Sequence, residues 1–248
     1  MSLDLLRPAS YLRPDETLKL SQQASQFLQS TSTISLPYPL SLIFGSESPE
    51  KWQTYENLLL ACLETGDDKS AHLALDRLMA RFGKDNERVQ ALRGLYLEAT
   101  AKDEKELQDV LQMYEDTLKE TPTNMPIRKR RVALLRSMGR TADATKGLTE
   151  LLDVSPIDSE AWSELADIYQ SQGLYTQAIY CLEEVLLVIP NAWNVHARLG
   201  ETTVLAANAA EGSGEQMRLL SEATRRFCRS VELCNDYLRG YYGLKLVR

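Results

Sequence analysis

Residues 158–191 read DSEAWSELADIYQSQGLYTQAIYCLEEVLLVIPN, and this stretch decides the fold. Trp162, Leu165 and Tyr169 fall at i, i+3 and i+7, which places them on one face of a helix. Ala166 and Ala178 are small enough to let that helix approach a second one closely, and Leu182 continues the apolar stripe on the second. Gly173 permits the turn between them, because glycine visits backbone conformations closed to other residues. Pro190 has no amide hydrogen and restricts Ile189 before it, so the second helix stops there.

The pattern repeats. Pro122, Pro156 and Pro190 are 34 residues apart, and the same offset relates Gly139 to Gly173, Ala144 to Ala178, Leu148 to Leu182, Leu151 to Val185 and Leu135 to Tyr169. A period of 34 with glycine at mid-repeat and proline at the end is the tetratricopeptide helix-turn-helix signature. The expected fold is therefore all-α: a right-handed superhelical tetratricopeptide solenoid of about five helix pairs, with an N-terminal helical extension.

Working outward, residues 125–156 form a copy whose first helix carries Arg128 and Arg131 where large apolar residues usually sit. Residues 52–83 hold Tyr55, Leu58, Leu59, Cys62, Gly66, Ala71, Leu75 and Leu78 in the same phase, with Gly83 in place of the terminal proline. Residues 87–122 read as another pair with a slightly long turn. A last pair begins near Trp193, is interrupted by a predicted loop insertion over 207–216 and resumes through Ala223, Phe227 and Val231. Residues 238–248 start one more first helix. With Tyr241, Tyr242, Leu244, Leu246 and Val247 it makes a poor polar cap, so the expectation is an end covered by further chain or by a partner. The domain division expected is 1–49, a helix over Pro14 to Ser30 (Leu18, Ala24, Phe27, Leu28) with a connector containing Pro37, Pro39 and Pro49, followed by the repeats over 50–248.

Composition excludes several classes. The chain has 248 residues, 44% of them hydrophobic, and 28 basic against 35 acidic residues give a net charge of −7. General affinity for nucleic acid or an anionic membrane is not expected from that field. Four cysteines and two histidines (His72, His196) occur without C-x-x-C or H-E-x-x-H spacing, so neither a metal nor a cofactor is expected. Apolar runs such as 185–189 fall far short of the ~18 residues of a membrane span, and MSLDLLRPAS, with an acid and no long apolar run, is not expected to act as a secretory leader. No Walker loop, no G-x-S-x-G and no readable Cys–His or Ser–His motif is present, so no enzyme is expected.

What remains is binding. Stacked helix pairs present a concave face lined by first helices, which receives extended or helical partner segments. Gln53, Glu56, Leu60 and Leu63 would line it in the first pair, a mix suited to an amphipathic peptide. Capture of a chaperone's C-terminal carboxylate is disfavoured, because the corresponding positions are Lys129, Ala133, Ser163 and Asp167, and Asp167 has the wrong sign. The densest charge lies in IRKRRVALLRSMGR (127–140), where Arg128, Lys129, Arg130, Arg131, Arg136 and Arg140 occur without an acid. Three readings stand: offset by acids of the neighbouring repeat (Asp158, Glu160, Glu164, Asp167), a patch that docks an acidic or phosphate-rich partner, or a nuclear-localisation signal, the last disfavoured because helical residues packed in a repeat are poor receptor ligands.

Four strings carry a more specific likeness: KWQTYENLLLACLETGDDKSA (51–71), ERVQALRGLYLEA (87–99), ETPTNMPIRKRRVALLRSMGR (120–140) and residues 160–191. In order and spacing they resemble the second subunit of the ER membrane protein complex, over roughly residues 50–248. The segments R-V-x-x-L-x-G-x-x-L-E-A (Arg88 to Ala99) and P-T-N-x-x-x-R-K-R (Pro122 to Arg130) give the likeness its specificity. The resemblance implies a non-catalytic scaffold at the cytosolic face of the endoplasmic reticulum, without a span or leader of its own. Its implied partners are cytosolic parts of membrane-spanning subunits and a small soluble subunit, in a complex that inserts tail-anchored and multispanning proteins. The alternative is a free cytosolic adaptor or co-chaperone.

Overall fold

The structure is a computed structural model that describes Leu6, residues 13–30 and residues 49–247, the side chains of residues 29 and 30 excepted. Among the described residues there are twelve helices and no strand: α1 (Pro14–Ser30), α2 (Pro49–Thr65), α3 (Asp68–Phe82), α4 (Glu87–Thr100), α5 (Glu104–Glu120), α6 (Met125–Ser137), α7 (Thr141–Val154), α8 (Ser159–Ser171), α9 (Tyr175–Val188), α10 (Trp193–Ala209), α11 (Ser213–Leu233) and α12 (Leu238–Leu246). Five helix pairs, α2–α3 through α10–α11, stand between the single helices α1 and α12, as the 34-residue period predicts. The chain divides into two compact units, residues 1–130 and 131–248, with the boundary inside α6.

In the first unit, Leu20, Ala24 and Leu28 of α1 are fully buried with Leu58, Leu59, Ala61 and Cys62 of α2 and Ala71 and Ala74 of α3. Each fully buried leucine contributes about 1.5–3 kcal/mol. Polar bonds fix the same contact. Thr65 Oγ1 donates to Ser21 Oγ at 2.7 Å, while Arg77 donates to Tyr55 Oη at 2.8 Å and to the Leu28 carbonyl. Helix α1 thus packs on the first repeat pair as part of this core. The helix itself falls where the sequence placed it. Its buried face, however, runs through Thr17, Leu20, Ser21, Ala24 and Leu28, and Leu18 is 49% exposed because it lies one residue off that stripe. The connector over residues 31–48 lies outside the described residues.

In the second unit the predicted packing residues Leu165, Ala166, Ala144, Ala178 and Leu182 are buried, and Trp162 and Tyr169 half-buried. Phe227 of α11 is buried among Ala197, Ala223, Leu244 and Tyr237. Gly66, Gly139 and Gly173, at the turns inside three pairs, have φ of +76°, +73° and +76°, the left-handed region that disfavours a side chain. Pro122, Pro156 and Pro190 occupy exposed turns after the second helices.

The loop insertion expected over 207–216 is a correction: α10 runs to Ala209 and α11 begins at Ser213, which leaves three residues, 210–212, between them. The alanines at 206, 207 and 209 are strong helix formers and Ala207 is fully buried, while Gly212 serves as the N-cap of α11. The low-complexity look of the segment comes from helix and cap residues together.

Candidate functional site

The first helices α2, α4, α6, α8, α10 and α12 carry the candidate binding residues, and the structure shows what their charges do. In the first unit Arg88 of α4 pairs with Glu56 of α2 at 2.7 Å. One helix further, Arg130 of α6 grips Glu98 of α4 with Nε and Nη2, the Nε bond measuring 3.2 Å. Glu98 also accepts from Tyr114 Oη of α5. In the second unit Arg136 of α6 pairs with Glu164 of α8 at 3.3 Å, Arg198 of α10 with Asp167 of α8, and Arg239 of α12 with Glu201 of α10 at 2.6 Å. Each first helix after α2 therefore meets its predecessor through an ion pair.

The cluster around Glu98 is the most enclosed of these. Burial and then the neighbouring carboxylate push the Tyr114 phenol well above its ordinary range, so it stays a hydrogen-bond donor. Burial works to lower the Arg130 pKa and is outweighed by the Glu98 bond and charge, which hold it above the usual arginine range. The ring of Tyr114 lies directly on the backbone of Gly94: a Cβ there would come within 2.7 Å of Cζ. Nearby, fully buried Asn124 caps α6 through Oδ1 to the Ile127 amide at 3.1 Å and donates from Nδ2 to Gln90 at 2.7 Å. Glu98 and Asn124 are fixed positions of the two distinctive sequence segments but carried no assigned role there, and Tyr114 lies outside both. The available signal was the repeat itself, because residues about one period apart on successive first helices are neighbours.

A second recurrent bond uses one register position of the first helices. Arg128, Trp162 and His196 are 34 residues apart, and each reaches back to the carbonyl of the proline six residues earlier: Arg128 Nε to Pro122 at 2.7 Å, Trp162 Nε1 to Pro156 at 2.8 Å, His196 Nε2 to Pro190 at 3.1 Å. The acceptor is a carbonyl, so His196 Nε2 carries the proton. Arg128 is thus at home where a large apolar residue was expected, since its Nε–H does what the indole N–H does. Of the predicted basic patch, then, Arg128 holds a turn, Arg130 and Arg136 hold neighbouring first helices, and Lys129 lies half-buried beside them. Acids that offset the patch include Glu98, the anticipated Glu164 and, for Arg140, Asp143 at 2.7 Å, whereas the anticipated Asp167 pairs with Arg198.

Of the residues predicted to line the face in the first pair, Gln53 and Glu56 border a cleft of about 310 Å³ with Trp52, Leu78, Phe82 and Val89. Leu60 and Leu63 do not reach it and pack partly against the first unit's core. In the second unit a concavity of about 680 Å³ opens where α10 and α11 overhang the start of α9; on its wall Arg226 bridges Glu183 at 2.9 Å and Glu222 at 2.8 Å. Among the described residues no cluster of His, Cys, Asp or Glu could hold a metal ion, and no helix is long and apolar enough to cross a membrane.

Comparison with known proteins fits this arrangement. The family described as the EMC2 TPR-like repeat domain matches residues 72–213. The fission yeast TPR repeat protein oca3 is 39% identical over 201 residues, covering 81% of this chain and 67% of that protein. ER membrane protein complex subunit 2 of Xenopus tropicalis is 33% identical over 193 residues, covering 78% and 61%. The chain thus spans about two thirds of the length of these relatives. Among solved structures, a tetratricopeptide repeat protein from Parabacteroides merdae superposes with a TM-score of 0.54 at 18% identity, covering 80% of this chain and 72% of that one, which shows the fold. The family is described as tetratricopeptide-like, and the solved structure shares that fold. With the family match extending over more than half of its length, the chain belongs to the EMC2 tetratricopeptide-like repeat family.

Proposed function

We propose that this protein is a non-catalytic scaffold subunit of an ER membrane protein complex, held at the cytosolic face of the endoplasmic reticulum by its partners, where the complex inserts tail-anchored and multispanning proteins. The observation that carries the reading is the family match over residues 72–213, in a chain whose first helices are locked to one another by ion pairs. Such a surface suits a scaffold, because its charged groups keep a fixed spacing of binding positions rather than awaiting a ligand. Partner segments, including cytosolic parts of membrane-spanning subunits and a small soluble subunit, would be received at the cleft bordered by Gln53 and Glu56 in the first unit and around Lys129. The test is affinity purification of the tagged protein from native membranes, followed by mass spectrometry. Recovery of ER membrane proteins in stoichiometric amount is expected. Recovery of chaperones without them would replace this reading with that of a free adaptor.

A further inference from the structure

Short turns make successive helices of the second unit antiparallel, so the turns that follow its second helices, 155–158, 189–192 and 234–237, all lie at one end of the stacked pairs. That edge is apolar. Leu187, Val188, Ile189 and Trp193 are exposed around the turn after α9, and Leu187 is 77% open to solvent. The turn before it exposes Val154 and Ile157, and the turn after it Leu238. The backbone beneath is already bonded inward. The Pro156 carbonyl takes the Trp162 indole, the Pro190 carbonyl takes His196, and the Trp193 carbonyl takes Ser230 Oγ at 2.7 Å. What the edge offers a ligand is therefore hydrocarbon on a fixed frame rather than backbone hydrogen bonds.

Charge says which ligand fits. From Gly147 to Ala197 the chain has eight acidic residues and no lysine or arginine. Glu164, Asp167 and Glu183 are offset by Arg136, Arg198 and Arg226. Asp153, beside Val154, and Glu184, one turn before Val188, meet no cation among the described residues, and neither does Asp236, two residues before Leu238. Glu184 instead accepts from the hydroxyl of exposed Tyr180. At each turn an uncompensated carboxylate thus stands beside exposed hydrocarbon. Such an edge repels an anionic lipid surface, and a second copy would bring the same acids against it. A cationic ligand suits it. We propose that this edge docks a basic amphipathic segment of a partner protein, its apolar side chains on Leu187, Ile189 and Trp193 and its lysines or arginines against Asp153, Glu184 and Asp236. The surface lies in the second unit and does not depend on which complex the protein joins.

The probe is a fluorescein-labelled helical peptide of leucine and lysine alone, about four turns long with leucine on one face, titrated with the full chain and read by anisotropy. Saturable binding that weakens severalfold as salt rises is expected. Leu187→Ser should weaken it about tenfold, the loss of one apolar contact. Asp153→Lys combined with Glu184→Lys should weaken it about tenfold as well and remove most of the salt dependence. Circular dichroism checks the fold, and should the double replacement disturb it, Leu187→Ser at its exposed position reads the same edge. Vesicles of phosphatidylcholine and phosphatidylserine should not sediment with the chain. Failure of the probe to bind, equal affinity in the native chain and both variants, or equal affinity for a peptide with glutamate in place of every lysine would each overturn the proposal. So would vesicle binding, or a dimer in analytical ultracentrifugation, that Leu187→Ser abolishes, since these assign the edge to a membrane or to a second copy.

Discussion

Replacing Arg130 by alanine separates a docking role for the basic segment from a structural one. The Glu98 side chain is only 13% exposed and receives three donors, two from Arg130 and one from Tyr114. Without the guanidinium, a nearly enclosed carboxylate keeps a single phenol. Bonds to charged groups are worth about 1.5–3 kcal/mol each, and stranding a buried charge costs about 3–5 kcal/mol. With Arg130 itself 27% exposed, water can partly replace it, so Arg130→Ala is expected to destabilise the protein by about 2–4 kcal/mol. Arg128→Ala removes the same charge but loses one bond to the carbonyl of an exposed proline, at a cost of about 1 kcal/mol or less. Urea unfolding followed by circular dichroism gives both values, and the Glu98→Ala, Arg130→Ala double-mutant cycle should show a coupling of about 1–3 kcal/mol. Equal, sub-kilocalorie effects at both arginines, or additivity in the cycle, would refute the internal role and return Arg130 to the docking patch.

Other perturbations test the same architecture. Gly173→Ala should cost about 1–2 kcal/mol, because φ is +76° there, whereas Gly214→Ala, in the first turn of α11 with open space around it, should be neutral or stabilising by up to about 1 kcal/mol; thermal melts distinguish the two. Burial pushes the thiols of Cys62 and Cys181 up to about 11, so iodoacetamide at mildly alkaline pH should label exposed Cys228 first and leave those two unmodified, as read by peptide mass spectrometry. For His196, burial and then the charges of Arg226 and Arg229 hold the imidazole below its ordinary value, against the opposing bond to Pro190. Its unfolded state therefore takes up a proton first, and the stability it contributes above about pH 6.5 is lost as pH falls from there through the lower folded value. Melting temperatures between about pH 7.5 and 5.5 should drop more for the native chain than for His196→Gln, which keeps a donor for the Pro190 carbonyl.

The repeat was legible because its signals are local. Gly66, Gly139 and Gly173 are at the positive-φ turns, the prolines follow the second helices, and Leu165, Ala166, Ala178 and Leu182 are buried as their spacing requires. Local signals also misled. The small residues over 207–216 look like a loop one by one, yet Ala207 is fully buried and alanine favours helix, so the helix runs on to Ala209. Leu18 looks like core until the stripe through Leu20, Ala24 and Leu28 excludes it. The sequence suggested that neighbouring repeats offset each other's charge, as Arg136 and Glu164 do, but not the individual pairs, whose partners sit about a period apart: 32 residues for Glu56–Arg88 and Glu98–Arg130, 31 for Asp167–Arg198, 38 for Glu201–Arg239.

The two segments that distinguish this chain from a generic tetratricopeptide repeat, Arg88 to Ala99 and Pro122 to Arg130, turn out to be two halves of one contact. Gln90 meets Asn124, Glu98 meets Arg130, and Gly94 is the opening through which Tyr114 reaches Glu98. Generic repeats stack through apolar side chains, which tolerate sliding and substitution of similar volume. Here α4 and α6 are joined through a buried amide, a bidentate arginine and a phenol, groups whose geometry allows one register and whose desolvation penalises any other. A motif chosen for binding would expose its polar atoms, whereas this one encloses them. In this chain the two segments therefore fix the register of α4 against the start of α6 within the first unit.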